Sequence, residues 1–224
     1  MMLDLPAHDI VTLVGITFAA GMVRGFSGFA LSAIVMASAA LIIPPVQVIP
    51  ICFFLEMTAS LLMIRGGWQA ANRKISISLA VASAVGLPLG LAFTTTVAPE
   101  LSRLTALALI VVLAVLQLAR VRMAFLATAP GLYGAGIMAG VATGLASVGG
   151  MVVALYVLAR QAPAREMRAS LVLFLFLSIL TSALTYIIFG IMDSTAVLRG
   201  LFFAGGVRLT KDLSGLEPAP SEGR

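Results

Sequence analysis

Two side chains sit where their surroundings should not tolerate them. Arg24 lies inside a long apolar run, and Glu56 lies near the middle of another. A guanidinium in hydrocarbon costs ~2.5–3.5 kcal/mol on insertion scales, so it must face a cavity or a counter-charge. Around Arg24 the chain reads Gly21-Met22-Val23-Arg24-Gly25-Phe26-Ser27-Gly28. Glycine lets a ligand approach the backbone, and a returning helix would aim its first N–H groups at that ligand. Arg24, Gly25, Ser27 and Gly28 therefore make a candidate anion-binding cradle. The alternative is an arginine that reaches back to the membrane surface as an ordinary helix-end anchor.

A second glycine-rich stretch, Gly140-Val141-Ala142-Thr143-Gly144-Leu145-Ala146-Ser147-Val148-Gly149-Gly150, offers Ser147 and the backbone of Gly149 and Gly150 as further substrate contacts, with Thr143 close by. Serine hydroxyls there can donate to an oxyanion or bond back to their own helix. Glu56 can pair with Arg24 or carry a coupling proton. Cys52, one turn earlier on the same face, is a small apolar filler or a contact for a sulfur-containing substrate. It is the only cysteine, so an intrachain disulfide and a cysteine-pair metal site are both excluded. The one histidine, His8, lies in the polar N-terminus. No metal or cofactor is expected. No pair of buried catalytic groups at workable spacing can be named, so the chain does not read as an enzyme.

The elements that hold these residues are membrane helices. Apolar residues make up 61% of the chain and charged ones 10%, too few to cover a water-soluble fold. The net charge of +5 comes from basic residues in short connectors, where they report membrane orientation rather than nucleic-acid binding. Six apolar runs can be marked: Ile10–Ile43, Val46–Ile64, Ile75–Val97, Leu104–Ala119, Met123–Ala159 and Ala169–Met192. A shorter stretch follows, Thr195–Val207. The first run has no basic residue before it and no cleavage site after it, so it is expected to be retained. Gly86-Leu87-Pro88 suggests a kink in the third run.

The first and fifth runs would each form a rod of roughly 50 Å at ~1.5 Å per residue, too long for a ~30 Å hydrocarbon core. Each is expected to break at its glycine-rich middle into a hairpin that returns to its starting side. The loops carrying Arg65, Arg73 and Lys74, Arg120 and Arg122, and Arg160, Arg165 and Arg168 then all fall in the cytoplasm, with the N-terminus outside. Gly15 to Gly136 and Gly28 to Gly149 are equal separations, and a proline turn and an apolar helix follow each hairpin. The expected fold is all-α: a polytopic membrane protein with two inverted repeats, each starting with a broken helical hairpin. Residues 1–9 form an extracytoplasmic N-terminus. Residues 10–207 form one transmembrane domain, with repeat one at 10–119 and an incomplete repeat two at 123–207. Residues 208–224 form a polar, disordered tail.

The second motif, Gly144-Leu145-Ala146-Ser147-Val148-Gly149-Gly150, then Pro163 and Arg168-Ala169-Ser170-Leu171, resembles the sulfite exporter TauE/SafE family, also called toluene sulfonate uptake permeases. The similarity spans about Ile10 to Gly190. It implies a multi-spanning inner-membrane permease for sulfite, thiosulfate, sulfonates or related organic anions. Two departures stand out. Phe26-Ser27-Gly28-Phe29 lacks the family's repeated glycines, and the apolar signal fades by Val207, where family members commonly continue. A shortened chain, or a missing wall supplied by a second subunit in a homo-oligomer, would account for the latter. No G-x-x-x-x-G-K-[ST] loop occurs, so energy must come from a gradient or a partner. The expected function is a secondary transporter of a small anion. An anion channel and a non-transporting accessory membrane subunit are the alternatives. The partners are the anionic substrate and the lipid bilayer, not nucleic acid.

Overall fold

A computed structural model describes residues 7–27, 29–67, 70–119, 128–160, 163–192 and 196–204. The expected ends, 1–9 and 208–224, lie largely or wholly outside these residues. Eight named helices follow in order: α1 Ala7–Ser27, α2 Leu31–Ala39, α3 Pro45–Gly67, α4 Arg73–Thr96, α5 Pro99–Leu118, α6 Ala129–Ala146, α7 Gly149–Ala159 and α8 Ala164–Ile188. A further helical segment covers 196–204. No strand occurs among the described residues.

Among the described residues, four helices are long and apolar enough to cross a bilayer: Pro45–Ile64, Arg73–Thr96, Pro99–Leu118 and Ala164–Ile188. They match the second, third, fourth and sixth apolar runs. Two start several residues earlier than hydropathy alone suggests. α5 begins at Pro99, whose missing N–H costs nothing in a first turn, with Glu100 beside the helix's positive end. α8 begins at Ala164, so Arg165, Glu166 and Arg168 belong to its first turns rather than to a loop.

The first and fifth runs do break, but over only a few residues. Residues 28–30 separate α1 from α2, and Ser147 and Val148 separate α6 from α7. Both interruptions carry a non-glycine residue in the left-handed region, Ala30 at φ 77° and Ser147 at φ 56°. That conformation costs roughly 1–2 kcal/mol per residue, so packing around the breaks must hold them. Ala30→Gly should therefore raise the melting temperature of the detergent-solubilised protein, by up to about 1 kcal/mol in stability. An unchanged or lowered value would show that the Ala30 methyl contributes packing greater than its strain.

After Ser147 the chain turns back on itself. Gly149 sits against the Ala139 carbonyl and the Thr143 hydroxyl of α6. Farther along α7, Val153, Tyr156 and Val157 join Ala135, Ala139, Ile75 and Leu79 in one apolar cluster. In the first pair, α1 lays a stripe of Leu13, Thr17, Ala20 and Arg24 inward and packs against α2, which packs in turn against α3.

The tightest contact in the molecule joins α4 and α6. Going up the pair, Gly136 meets Leu79 and Ala82, Gly140 meets Ser83 and Leu87, and Gly144 meets Leu87, Gly90 and Leu91. Gly86 and Gly90 answer by lying on the Ile137 and Val141 backbones. The rising numbers on both sides make the helices parallel, and the four-residue glycine spacing is the small-residue seam that lets membrane helices touch backbone to backbone. Thr94 reinforces it by donating from Oγ1 to the Gly144 carbonyl at 3.0 Å. α4 runs as one helix through Gly86-Leu87-Pro88, and Gly86 there is a contact point with α6. Gly140 and Gly144 likewise lie inside α6 and serve packing, not the break. Gly15 has nothing near it whereas Gly136 is jammed, so their equal spacing reflects no shared environment.

α8 starts beside α4. The Ser170 hydroxyl accepts from the Asn72 backbone N–H at 3.0 Å, and the Ser76 hydroxyl donates to the Ser170 carbonyl at 3.0 Å. α3 and α8 run antiparallel: Phe53 stacks edge-on with Tyr186 at 5.7 Å, while Met63 lies near Ala164 to Val172. The start of α4, the start of α8 and the end of α3 therefore share one end of the bundle. Arg73, Lys74, Arg165 and Arg168 are exposed there. Outward faces carry Leu104, Val111, Val115, Leu180, Leu184 and Ile187, as lipid contact requires.

Candidate functional site

Arg24 is 1% exposed, so its head group is enclosed by protein. It occupies the last turn of α1, where a positive charge also suits the helix dipole. Its Nη1 forms an ion pair with Glu56 Oε2 of α3, and its Nη2 donates to Ser60 Oγ at 3.1 Å. The other carboxylate oxygen of Glu56 accepts from Ser32 Oγ of α2 at 2.7 Å. Three elements thus converge on one charged group. Arg24 Nε has no hydrogen-bond partner among the described residues, which leaves a donor unused in a buried place. An unmade bond of this kind is costly unless a ligand completes it.

The network extends towards the second break. Cys52, fully buried, points its thiol at the Ser32 carbonyl at 3.9 Å. Beyond it lies Tyr186 of α8, 1% exposed, whose hydroxyl sits against the side chains of Ser147 and Ser182. The breaks themselves meet where Phe29 approaches Gly150, which also touches Leu175 of α8. Gly149 and Gly150 open α7, and a helix leaves its first N–H groups without internal partners. Ser178, between Leu175 and Ser182 on α8, has a buried hydroxyl with no partner among the described residues. A chain of polar groups therefore runs through the apolar interior from Ser60 and Arg24 to Ser147.

The structure brings some of the residues singled out in the sequence together and leaves others apart. Arg24, Glu56, Cys52 and Ser147 do share this network. Gly25 and Ser27 belong to the last turn of α1, so their amides are part of a helix rather than an open loop. The Ser27 side chain, and Gly28, Arg120 and Arg122 entirely, lie outside the described residues. Thr143 is spent on its own helix, donating to the Ala139 carbonyl at 2.8 Å. Ser32, Ser60, Ser182 and Ser178 were missed, while Tyr186, an aromatic that suits an interfacial or cavity position, lies in the interior. Cys52, Glu56 and Ser60 fall at successive four-residue steps, so the face of α3 could have pointed to Ser60. Arg199 was missed as well: it is buried in the 196–204 helix and donates from Nη1 to Gln47 Oε1 at 3.1 Å.

Membrane-length helices thus surround an interior charged network, and two broken helices meet inside it. The family profile described as Sulfite exporter TauE/SafE matches residues 13–210. The chain belongs to that family, whose members are membrane transporters of sulfur anions. No curated protein and no solved structure matches it.

Proposed function

We propose that this protein is a secondary transporter that carries a small anion, a sulfur oxyanion or an organosulfonate, across the inner membrane. The single observation that supports this most is the buried Arg24, held by Glu56 and Ser60 yet keeping an unused Nε donor. A guanidinium offers a planar fork of donors that fits two oxygens of a sulfonate or sulfite at once. In the resting arrangement Glu56 takes one arm of that fork, Nη1. An incoming anion competes for it, and the released Glu56 is where a coupling proton would bind. Ser32 and Ser60 hold the two partners in register. Ser147, Tyr186 and the first amides of α7 line the opposite side of the path, with Gly149 and Gly150 giving close backbone approach.

The basic end of the bundle is the cytoplasmic end in this reading, following the excess of Lys and Arg on that side of membrane proteins. The N-terminus is then extracytoplasmic. An inverted repeat fits the long–short–long helix order of α1–α2–α3 and α6–α7–α8, and the antiparallel course of α3 and α8.

Purified protein in proteoliposomes should move radiolabelled sulfite, thiosulfate or a small arylsulfonate with saturable kinetics and respond to an imposed proton gradient. Flux that rises linearly with concentration and carries current would mean a channel. No flux of any of these anions would leave an accessory subunit.

A further inference from the structure

We infer that the cavity between the end of α3 and the start of α8 is an anion-collecting vestibule that feeds the Arg24 site. The inference rests on the transport reading above. The cavity measures about 560 Å³ and is lined by Met63, Ala70, Ala164, Arg165, Arg168, Ala169 and Val172. Those lining residues bring two guanidiniums and no carboxylate. Glu166, the acidic residue between the arginines in sequence, is not among the lining residues and accepts from Asn72 Nδ2 at 3.4 Å. Arg165 and Arg168 are one turn apart on α8, so both can bear on one ligand. Cationic side chains over low-dielectric walls focus the local potential and raise the local concentration of an anion.

Helical register places this cavity on the path. Cys52, Glu56, Ser60 and Met63 follow at steps of four, four and three along α3, which puts them on one face. The contacts agree: Cys52 and Glu56 face Ser32, Ser60 faces Arg24, and Met63 lines the cavity. From Met63 to Ser60 is a rise of ~5 Å, and to Glu56 ~10 Å. An oxyanion resting between Arg165 and Arg168 is thus about two helical turns from the guanidinium that would receive it. Met63, flexible and apolar, stands between the two stations and would have to swing aside.

The test uses a charge-sensitive label rather than transport. Ala164→Cys places an accessible thiol in the cavity, and the wild type, whose only cysteine is buried, serves as the unlabelled control. In nanodiscs of phosphatidylcholine, the anionic sulfonatoethyl methanethiosulfonate should react faster, relative to the cationic trimethylammonium reagent, than it does once Arg165→Gln and Arg168→Gln are added. The expected change in the ratio is about tenfold, and it should shrink in high salt. Small sulfonates should protect the thiol. A ratio that ignores both arginines overturns the vestibule. Loss of anionic labelling when phosphatidylglycerol is added also overturns it, since the cavity would then be a seat for a lipid headgroup. A sided flux assay keeps the two ideas apart. A raised KM from the basic face alone supports the vestibule, and an unchanged KM with flux still dependent on Arg24 rejects it alone. Flux that ignores Arg24 rejects the transport reading, while the labelling ratio still reports on the cavity.

Discussion

Arg24→Gln should abolish saturable anion flux, lowering it about a hundredfold or more, or ~3 kcal/mol, the scale of losing one partner of a buried charge pair in recognition. The same change should destabilise the fold by about 3 kcal/mol, because Glu56, whose side chain is 15% exposed, is left half-buried beside a neutral group. Those two effects can be pulled apart. Arg24→Gln combined with Glu56→Gln removes both charges, so thermal stability should return towards the wild-type value. Transport should not return, because nothing positive remains to hold the anion. If the double variant transports as well as the wild type, Arg24 and Glu56 form a structural pair and the binding role is wrong. The readouts are a melting curve in detergent and flux in proteoliposomes, taken on the same preparations.

Gly140→Val should prevent the protein from folding at all. A Cβ at this position would overlap the Ser83 carbonyl oxygen and crowd the Leu87 amide, both of them backbone atoms of α4 that cannot move aside alone. Overpacking usually costs 1–3 kcal/mol, and about that or more is expected where a whole helix must shift. Since typical domains keep only ~5–15 kcal/mol in total, and every contact along the seam is lost together, the variant should elute as aggregate on size-exclusion chromatography. Gly134→Ala is the matched control on the same helix. Nothing lies within contact range of Gly134, so alanine should be tolerated and should gain up to about 1 kcal/mol in helix propensity. If both variants behave alike, the α4–α6 contact is looser than described.

The long helices were legible because hydrocarbon thickness sets a length that a run of apolar residues either meets or does not. Their starts were less so. Glu100, Arg103, Arg165 and Arg168 look like loop residues by hydropathy, yet the first turn of a helix at a membrane surface has room for charge. The hairpin in the fifth run followed from its excess length, and the break falls inside the glycine-rich stretch 140–150, though on Ser147 and Val148 rather than on a glycine. Glycine serves both for bending and for close contact, and only the partner helix tells which. Gly140 and Gly144 lie against α4, while the turn itself falls on Ser147, a residue with no intrinsic preference for a positive φ. The meeting of Arg24 and Glu56 was readable, since two opposite charges in hydrocarbon have few other options. Ser32 and Ser60 were not, because a helical serine ordinarily satisfies itself on its own backbone. Tyr186 gave no signal of its position beyond being a polar-tipped aromatic in an apolar run.

The backbone-to-backbone seam between α4 and α6 limits how this molecule can change shape. Two helices interlocked at Gly86, Gly90, Gly136, Gly140 and Gly144 have no side-chain cushion on which to slide, so they act as a stator. Arg24, Glu56 and Ser32 all ride on α1, α2 and α3, outside that stator. In the proposed transport cycle, the parts left to move are therefore α1, α2 and α3 rather than α4 and α6.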